Sequence, residues 1–244
     1  MSAEPRDLFR PNDELARRPW LARLRGVSKR YGDPERGFLA LREVDFDLRP
    51  GELTLLMGPS GSGKTTLLSV LGCLIRPTGG TVEILDRRVD SLGETELPEI
   101  RLRSIGFVFQ SFNLLESLTA LENIEVPLRL AGAARAEAKA RAAALAERFG
   151  IGPKLGQLPR DLSGGEQQRV AIARALALEP AVVLADEPTG ALDSKTGRDV
   201  IRLLAAYAHL GHAALVVTHD LRIEDLADRV VHLEDGRLAG SPGA

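Results

Sequence analysis

The chain contains the segment Gly58-Pro59-Ser60-Gly61-Ser62-Gly63-Lys64-Thr65. Its glycines, lysine and final hydroxyl fit Gly-x-x-x-x-Gly-Lys-Ser/Thr, a phosphate-binding loop pattern. The apolar run 53–57 before it has the length of a buried strand, and the run 66–71 after it predicts a helix. Backbone N–H groups of such a loop, together with the positive end of the helix, surround an anion. The sequence therefore predicts phosphate binding, with Lys64 reaching the phosphates and the Thr65 hydroxyl available to Mg²⁺.

The composition is that of an α/β domain without a strong overall charge. The chain has 244 residues, of which 44% are apolar, and its net charge is −2, so no overall basic field attracts nucleic acid or anionic lipid. The single cysteine, Cys73, is expected to be a small buried apolar residue in the helix after the phosphate loop. Residues 1–12 carry charges and no apolar core, so we expect no signal peptide, and no apolar run approaches the ~18 residues that cross a bilayer.

Strands alternate with helices along most of the chain. Apolar or alternating runs predict strands at 21–27, 44–48, 53–57, 81–85, 104–109, 181–185, 213–217 and 229–233. This alternation predicts a mostly parallel sheet flanked by helices. Residues 111–163 show no strand pattern, and the alanine-rich segment 133–149 predicts a helix that Gly150 ends. That helix presents either a solvated outer face or part of a lobe that contacts a partner. Residues 1–20 are expected to be solvated or loosely docked.

Two adjacent acids follow the uniformly apolar run 181–185. Asp186 and Glu187 therefore lie at the carboxyl end of a buried strand, where open α/β sheets bind their ligands. A buried carboxylate is costly without a partner, and Mg²⁺ would be one, with Asp186 on the metal and Glu187 orienting or deprotonating a water. The alternative is a pair of surface acids that open a loop. His219 follows the apolar run 213–217 in the same way, either as a structural histidine or as a contact to the γ-phosphate.

A second candidate anion site begins at Leu162-Ser163-Gly164-Gly165-Glu166. Ser163 and Glu166 have the spacing of a helix capping box. A capping box does not explain two glycines in the first helical turn, each of which costs up to ~1 kcal/mol relative to alanine. Bare backbone at a helix N-terminus suits the close approach of an anion. The pattern therefore predicts a second phosphate-binding surface, distant from the first in sequence.

Together these motifs resemble an ATP-binding cassette (ABC) ATPase over about residues 21–240. The resembling segments are the Walker A loop 58–65, the signature 162–166, the Walker B strand 182–187, the D-loop 191–193, the Q-loop residue Gln110, the switch histidine His219 and the adenine-stacking position Tyr31. For Tyr31 a packed core tyrosine is the alternative. The resemblance implies a P-loop NTPase fold with a mostly parallel central sheet between helices, an antiparallel N-terminal β-subdomain and an inserted α-helical subdomain at about 111–163. Residues 1–20 would form an N-terminal extension and residues 241–244 a C-terminal tail.

The resemblance also implies a homodimer that sandwiches ATP and Mg²⁺ between the Walker A loop of one subunit and the signature of the other. The ATP-binding residues would be Tyr31, Gly58, Pro59, Ser60, Gly61, Ser62, Gly63, Lys64, Thr65 and Thr66. The residues acting at the partner's ATP would be Ser163, Gly164, Gly165 and Glu166, with Asp193 in the D-loop. Glu187 would be the catalytic base, His219 and Lys64 would stabilise phosphoryl charge, and Gln110 would contact Mg²⁺ or water. The metal contacts would be Thr65, Gln110 and Asp186.

The residues of two segments indicate a narrower class within the ABC ATPases. Residues 107–123 and 184–193 are similar to the MacB/LolD-like class of ATPases from macrolide exporters and lipoprotein-releasing systems, although Glu116 stands where many relatives have proline. The class implies an ATPase at the cytoplasmic face of the membrane that couples ATP hydrolysis to a separate integral membrane permease, with no nucleic-acid partner. Two alternatives stay open. They are a soluble ABC ATPase of cofactor assembly and a nucleic-acid- or ribosome-associated ABC protein, which the net charge does not favour.

Overall fold

In the computed structural model, residues 9–33 and 36–239 are described, and within them the chain forms ten strands and seven α-helices. The strands are β1 (Ala22–Tyr31), β2 (Phe38–Leu48), β3 (Glu52–Met57), β4 (Gly79–Ile84), β5 (Arg87–Arg88), β6 (Ile105–Phe109), β7 (Val182–Asp186), β8 (Ala213–Val217), β9 (Arg229–Glu234) and β10 (Arg237–Leu238). The helices are α1 (Asp13–Ala16), α2 (Lys64–Leu71), α3 (Leu97–Ser104), α4 (Ala120–Leu130), α5 (Arg135–Arg148), α6 (Gly164–Leu176) and α7 (Ser194–Ala208). No helix among them is long and apolar enough to span a bilayer.

Two sheets organise the domain. The six-stranded sheet has the order β10-β9-β3-β8-β7-β6 and is parallel except for the β9–β10 pair. The four-stranded sheet, β2-β1-β4-β5, is antiparallel. The predicted fold class, with a mostly parallel central sheet and an antiparallel N-terminal subdomain, is confirmed. The two-residue strands β5 and β10 carry no pattern long enough to be recognised in the sequence.

Both faces of the six-stranded sheet are covered, which explains its uniformly apolar strands. Successive residues of β3 point to opposite faces, so Leu55 packs in the cluster formed with α4 to α7 and Leu56 in the cluster that contains α2 and the antiparallel sheet. Both leucines are fully buried. The sheet is therefore a rigid platform whose strand ends fix the loops that follow them.

The segment between β6 and α6 is helical, as expected. Helix α4 begins with a capping box in which Thr119 and Glu122 exchange hydrogen bonds. Helix α5 ends where the Gly150 N–H donates to the Glu147 carbonyl at 3.0 Å and the Ile151 N–H donates to the Ala146 carbonyl at 2.9 Å. These two bonds are those of a glycine-capped helix C-terminus, so the prediction for residues 133–150 is confirmed.

The helix after the phosphate loop is shorter than predicted. It ends at Leu71, and Cys73 lies beyond it with a φ of 55°, in a turn where the Cys73 N–H donates to the Val70 carbonyl at 3.0 Å. The prediction that Cys73 is helical is therefore wrong, while its burial is confirmed. Burial raises the pKa of the Cys73 thiol to about 11, as expected of an unreactive core thiol.

Of the two expectations for the N-terminal segment, solvated or loosely docked, residues 9–20 follow the second, because Phe9 and Leu15 are buried while most of their neighbours are exposed. Phe9 is buried, with its ring centroid 4.8 Å from that of Tyr207 in α7 and 6.3 Å from that of Phe149 at the end of α5. The Asn12 N–H donates to the Leu210 carbonyl at 2.7 Å. Residues 1–8 and the predicted tail 241–244 lie outside the described residues.

Candidate active site

The carboxyl ends of four neighbouring strands bring the predicted site residues together. Phe109 of β6 lies beside Asp186 of β7, and Asp186 lies beside Val217 of β8, which in turn lies beside Leu56 of β3. The residues that follow these positions form the loops at one edge of the sheet. This register explains how segments that are distant in sequence converge on one site.

A cleft of about 590 Å³ opens at this edge. It is lined by Phe38, Ala40, Gly58, Ser60, Gly61, Gly63, Lys64, Thr65, Thr66, Gln110, Asp186, Glu187, Val217 and His219. Three residues predicted for the nucleotide, Tyr31, Pro59 and Ser62, do not line it. Ser62 is buried beneath the loop, where its carbonyl accepts a hydrogen bond from the Gly236 N–H at 3.0 Å.

The phosphate loop depends on glycine at two places. Gly58 has a φ of 147° and Gly63 a φ of 106°, and a Cβ at either position would collide with a backbone carbonyl oxygen, that of Leu233 or of Ala40. The loop leads directly into α2, so its N–H groups and the helix N-terminus face the cleft. The Lys64 Nζ lies over the loop and donates to the carbonyls of Gly58 and Pro59, each at 2.8 Å.

The acidic end of β7 faces the start of α2. Burial raises the pKa of Asp186 and the neighbouring charge of Glu187 raises it further, whereas a hydrogen bond with the Thr65 hydroxyl and the charge of Lys64 lower it. The net shift is upward. Asp186 is therefore a half-buried carboxylate whose negative charge is incompletely compensated by the protein.

Glu187 and His219 form a pair at the mouth of the cleft. The His219 Nδ1 lies 2.8 Å from Glu187 Oε1, and the two side chains are 78% and 18% exposed. Glu187 is held by its backbone, because its N–H donates to the Val217 carbonyl at 2.9 Å and its carbonyl accepts from the Gly190 N–H at 3.1 Å. This turn fixes the Glu187 carboxylate at the cleft, where the His219 imidazole contacts it.

The signature segment forms the N-terminus of α6, outside the cleft. Its capping box is present: the Ser163 Oγ accepts from the Glu166 N–H at 3.3 Å, and the Glu166 carboxylate accepts from the Ser163 N–H at 2.8 Å. The Ser163 N–H and the Ser163 hydroxyl both donate to the Glu166 carboxylate, and these two bonds lower the pKa of Glu166. Ser163, Gly164, Gly165 and Glu166 are thus brought together with one another and not with Lys64.

Asp193 also caps a helix. Its carboxylate accepts from the backbone N–H groups of Lys195 at 3.0 Å and Thr196 at 3.1 Å, at the start of α7. Sequence reasoning did not find Phe38, an aromatic side chain that lines the cleft and is the cross-strand partner of Tyr31. Its only sequence signal is an aromatic residue in the polar stretch that follows Tyr31.

Known proteins share this architecture. The family model described as ABC transporter matches residues 41–190. An uncharacterized ABC transporter ATP-binding protein of Thermotoga maritima is 51% identical over 201 residues, covering 82% of this chain and 86% of that protein. A solved dimeric, post-hydrolysis state of the ATP-binding cassette MJ0796 bound to ADP and Pi is 43% identical with a TM-score of 0.82, covering 89% of this chain and 96% of that one.

A longer relative combines a cassette of this kind with other regions. The macrolide export ATP-binding/permease protein MacB of Marinobacter nauticus is 45% identical over 224 residues, which cover 92% of this chain and 35% of MacB. The chain thus spans little more than a third of the length of that relative. The residues that the family model matches include the phosphate loop, Gln110, the N-terminus of α6 and the acids Asp186 and Glu187. The chain therefore belongs to the ABC transporter family of ATP-binding proteins, and it binds and hydrolyses ATP.

Proposed function

We propose that two copies of this chain close head to tail over two ATP molecules and drive a separate, MacB/FtsX-like integral membrane permease from the cytoplasmic face of the membrane. The division of the site carries the proposal. Lys64, Glu187 and His219 face the cleft, whereas Ser163 and Gly164 lie on a helix N-terminus outside it. A second copy whose α6 N-terminus lay over the cleft would add the missing N–H donors. The dimeric form of the MJ0796 cassette supports this arrangement.

The surroundings of Gly164 support an external ligand. A Cβ at this position would meet its nearest neighbours, the Ala191 carbonyl oxygen and the Phe112 ring, at 3.7 and 3.9 Å, which are ordinary contacts. Neither the packing of this chain nor the backbone of α6 therefore requires glycine there. A glycine that the fold does not need, at the first position of a helix, leaves bare backbone for an approaching phosphate.

The residues beside the phosphate loop fit Mg²⁺. Asp186 lies half-buried against the Thr65 hydroxyl with incompletely compensated charge, and Gln110 adds an amide oxygen at the same cleft. Mg²⁺ at nucleotide sites takes few protein ligands and completes its shell with phosphate oxygens and water, so this small donor set suffices. When bound, the ion neutralises charge on the phosphate oxygens.

The protein groups then divide the work of hydrolysis. Lys64 binds the β- and γ-phosphates, and Gln110 orients the attacking water. Glu187 accepts a proton from that water at its carboxylate, and His219, held against Glu187, donates a hydrogen bond to the γ-phosphoryl oxygens. Phosphoryl transfer depends mainly on such positioning and on donors fixed where charge accumulates.

A groove along β6 supports a permease partner. It has a volume of about 320 Å³, lies between β6, α4 and α6, and is lined by apolar and cationic side chains, among them Phe107, Phe109, Leu130 and Arg174. The rings of Phe107 and Phe109 stack at 5.5 Å, and Leu130 is exposed. A short amphipathic helix of a permease would cover this apolar floor.

Affinity capture tests the proposal. Glu187→Gln keeps the size of the side chain but removes the base, so with ATP and Mg²⁺ it should lengthen the lifetime of the closed dimer. We expect a polytopic membrane protein to be recovered with it in about equal amount from detergent-solubilised membranes. The control is the same variant with ADP, from which the dimer and the membrane protein should be lost.

The same experiment tests the alternative of a soluble ABC ATPase of cofactor assembly. Recovery of soluble partners alone, with a stable ATP-dependent dimer, would contradict the permease and favour a cofactor-assembly ATPase. The Leu130→Glu variant provides a second test. A charge in the groove should abolish recovery of the membrane protein and leave ATP-dependent dimerisation intact.

A further inference from the structure

An arginine bridges two loops next to the catalytic cleft. The Arg222 Nε and Nη2 donate to the two carboxylate oxygens of Asp220 at 2.8 and 2.9 Å, and the Arg222 N–H donates to Asp220 Oδ1 at 2.9 Å. The remaining arm, Nη1, donates to the Ser194 Oγ at 2.7 Å. One planar guanidinium therefore joins the loop after β8 to the N-terminus of α7.

A second arginine fastens the same two elements. Arg198, one turn further along α7, donates to both carboxylate oxygens of Asp225 at 2.8 and 2.6 Å and also to the Arg222 carbonyl. The residues 221–226 between the two bridges form a 3₁₀ turn. The hydrogen bond from Arg198 thus fixes the Arg222 backbone against α7, and this fixes the position from which the Arg222 side chain extends.

The ends of the Arg222 bridge adjoin two residues of functional interest. Asp220 directly follows His219, whose Nδ1 contacts Glu187 at 2.8 Å. Ser194 directly follows Asp193, which caps α7. Arg222 itself does not line the nucleotide cleft, and its side chain is 68% exposed. It is therefore placed to act through its neighbours and not on the nucleotide.

We propose that Arg222 is a positioning residue that ties the His219 loop to the Asp193 loop and so keeps His219 beside Glu187. The inference rests on the catalytic roles proposed above for Glu187 and His219. Because exposed ion pairs contribute little to stability, removing Arg222 should hardly affect folding. A small displacement of a catalytic group nevertheless has a large effect on rate.

Steady-state ATP hydrolysis of the full chain tests the proposal. We expect Arg222→Ala to lower kcat about tenfold and to leave the KM for ATP within about twofold, since a misplacement of about 1 Å can cost up to 10²-fold in rate. Arg222→Lys reaches only one of the two acceptors and should recover part of the loss. The matched control is Arg202→Ala, an exposed arginine of α7 whose salt bridge to Asp199 at 3.0 Å stays on its own helix; it should retain wild-type kcat.

A double-mutant cycle isolates the bridge. Ser194→Ala removes the acceptor on α7, and the pair Ser194→Ala with Arg222→Ala should be no slower than Arg222→Ala alone, because both changes break one connection. Additive losses, a rise in KM at unchanged kcat, or a wild-type rate in Arg222→Ala would overturn the proposal. The proposal would also be overturned if the lower kcat of Arg222→Ala were explained by a lower Tm of that variant.

The controls separate this inference from the proposed function. If Glu187→Gln and the wild type hydrolyse ATP equally, the catalytic roles proposed above fail. If Glu187→Gln is inactive while Arg222→Ala matches the wild type, only the role of Arg222 fails.

Discussion

Two aromatic side chains, Tyr31 and Phe38, are cross-strand partners at the end of the β1–β2 pairing. The Lys29 ammonium lies 5.2 Å from the ring centroid of Tyr31, and of the cross-strand partners Tyr31 and Phe38 only Phe38 lines the cleft. We expect Phe38→Ala to raise the KM for ATP about fivefold to tenfold at unchanged kcat, because stacking on a base is worth ~1–3 kcal/mol. Tyr31→Ala should have a smaller effect, and Leu74→Ala, an exposed apolar control, none. Steady-state kinetics measures the KM of each variant. A larger rise in KM for Tyr31→Ala than for Phe38→Ala would contradict stacking of the base on Phe38.

Phe38 could not be identified in advance for a geometric reason. The β1–β2 pairing has three register shifts, between Leu24 and Val27, between Val27 and Lys29, and between Lys29 and Arg30. Each irregularity changes which side chains face the cleft, so simple alternation along β1 does not reveal the facing residue on β2. The identities of the glycines and the lysine in the phosphate loop, by contrast, are required by the local backbone conformation, so the sequence pattern alone identifies them.

A buried histidine makes stability depend on pH. His212 is 1% exposed, its Nδ1 lies 2.9 Å from the Pro180 carbonyl, and its ring stacks on Tyr207. Burial lowers the pKa of His212 below its ordinary 6.5. Above that value the residue is neutral in both folded and unfolded chains. As pH falls below it, the unfolded chain takes up the proton first, and the free energy of unfolding decreases.

The variant His212→Asn removes this titration while keeping a donor for the Pro180 carbonyl. Between pH 6.5 and 5 we expect the wild type to lose stability more steeply than the variant, by up to ~1.4 kcal/mol per pH unit. Urea unfolding at each pH measures the difference. Parallel pH profiles for the two proteins would mean that His212 titrates alike in both states.

At the scale of elements, the N-terminal segment connects parts of the domain. Phe9 packs between Phe149, at the end of α5, and Tyr207 of α7, and Arg18 pairs with Asp86 in the turn between β4 and β5. We expect Phe9→Ala to lower the free energy of unfolding by about 3–5 kcal/mol, because a buried aromatic ring is removed. Urea unfolding tests this, with the exposed neighbour Arg10→Ala as the control. Equal stability of the two variants would show that Phe9 adds nothing.

Most elements were predictable because their signals are local. The box Ser163–Glu166 and the glycine at position 150 act within one turn of their helix, so spacing alone identifies them. The docking of Phe9 was not predictable, because it depends on two rings far away in sequence. The early end of α2 depends likewise on a turn at Gly72 and Cys73 that sequence periodicity does not mark.

At the scale of the whole molecule, the division of the site predicts complementation between two inactive variants. Lys64→Ala disables the phosphate loop, and Gly164→Asp places a negative charge at the first position of α6, which a helix N-terminus tolerates but a phosphate does not. Neither variant alone should hydrolyse ATP. In a mixture, a heterodimer has one intact composite site, so activity should return to roughly a quarter of the wild type when chains pair at random.

Dilution of the wild-type protein is the control for the complementation experiment. Wild-type activity per chain should fall with dilution below the dimerisation range, whereas a site completed within one chain would keep its specific activity. A mixture that stays inactive, with both variants folded by circular dichroism, would refute the shared site. Sequence could indicate this sharing only through the family resemblance, because a single chain gives no direct view of what lies against the N-terminus of α6.

The floor of the phosphate loop comes from the far end of the chain. The Leu233 carbonyl lies so close to Gly58 that a side chain at position 58 has no room, and the Gly236 N–H donates to the Ser62 carbonyl at 3.0 Å. A polypeptide shortened after residue 228 would keep every motif from the phosphate loop to His219 and yet lose this support. Excision, grafting or circular permutation of the cassette must therefore carry β9 and β10 with the loop they hold.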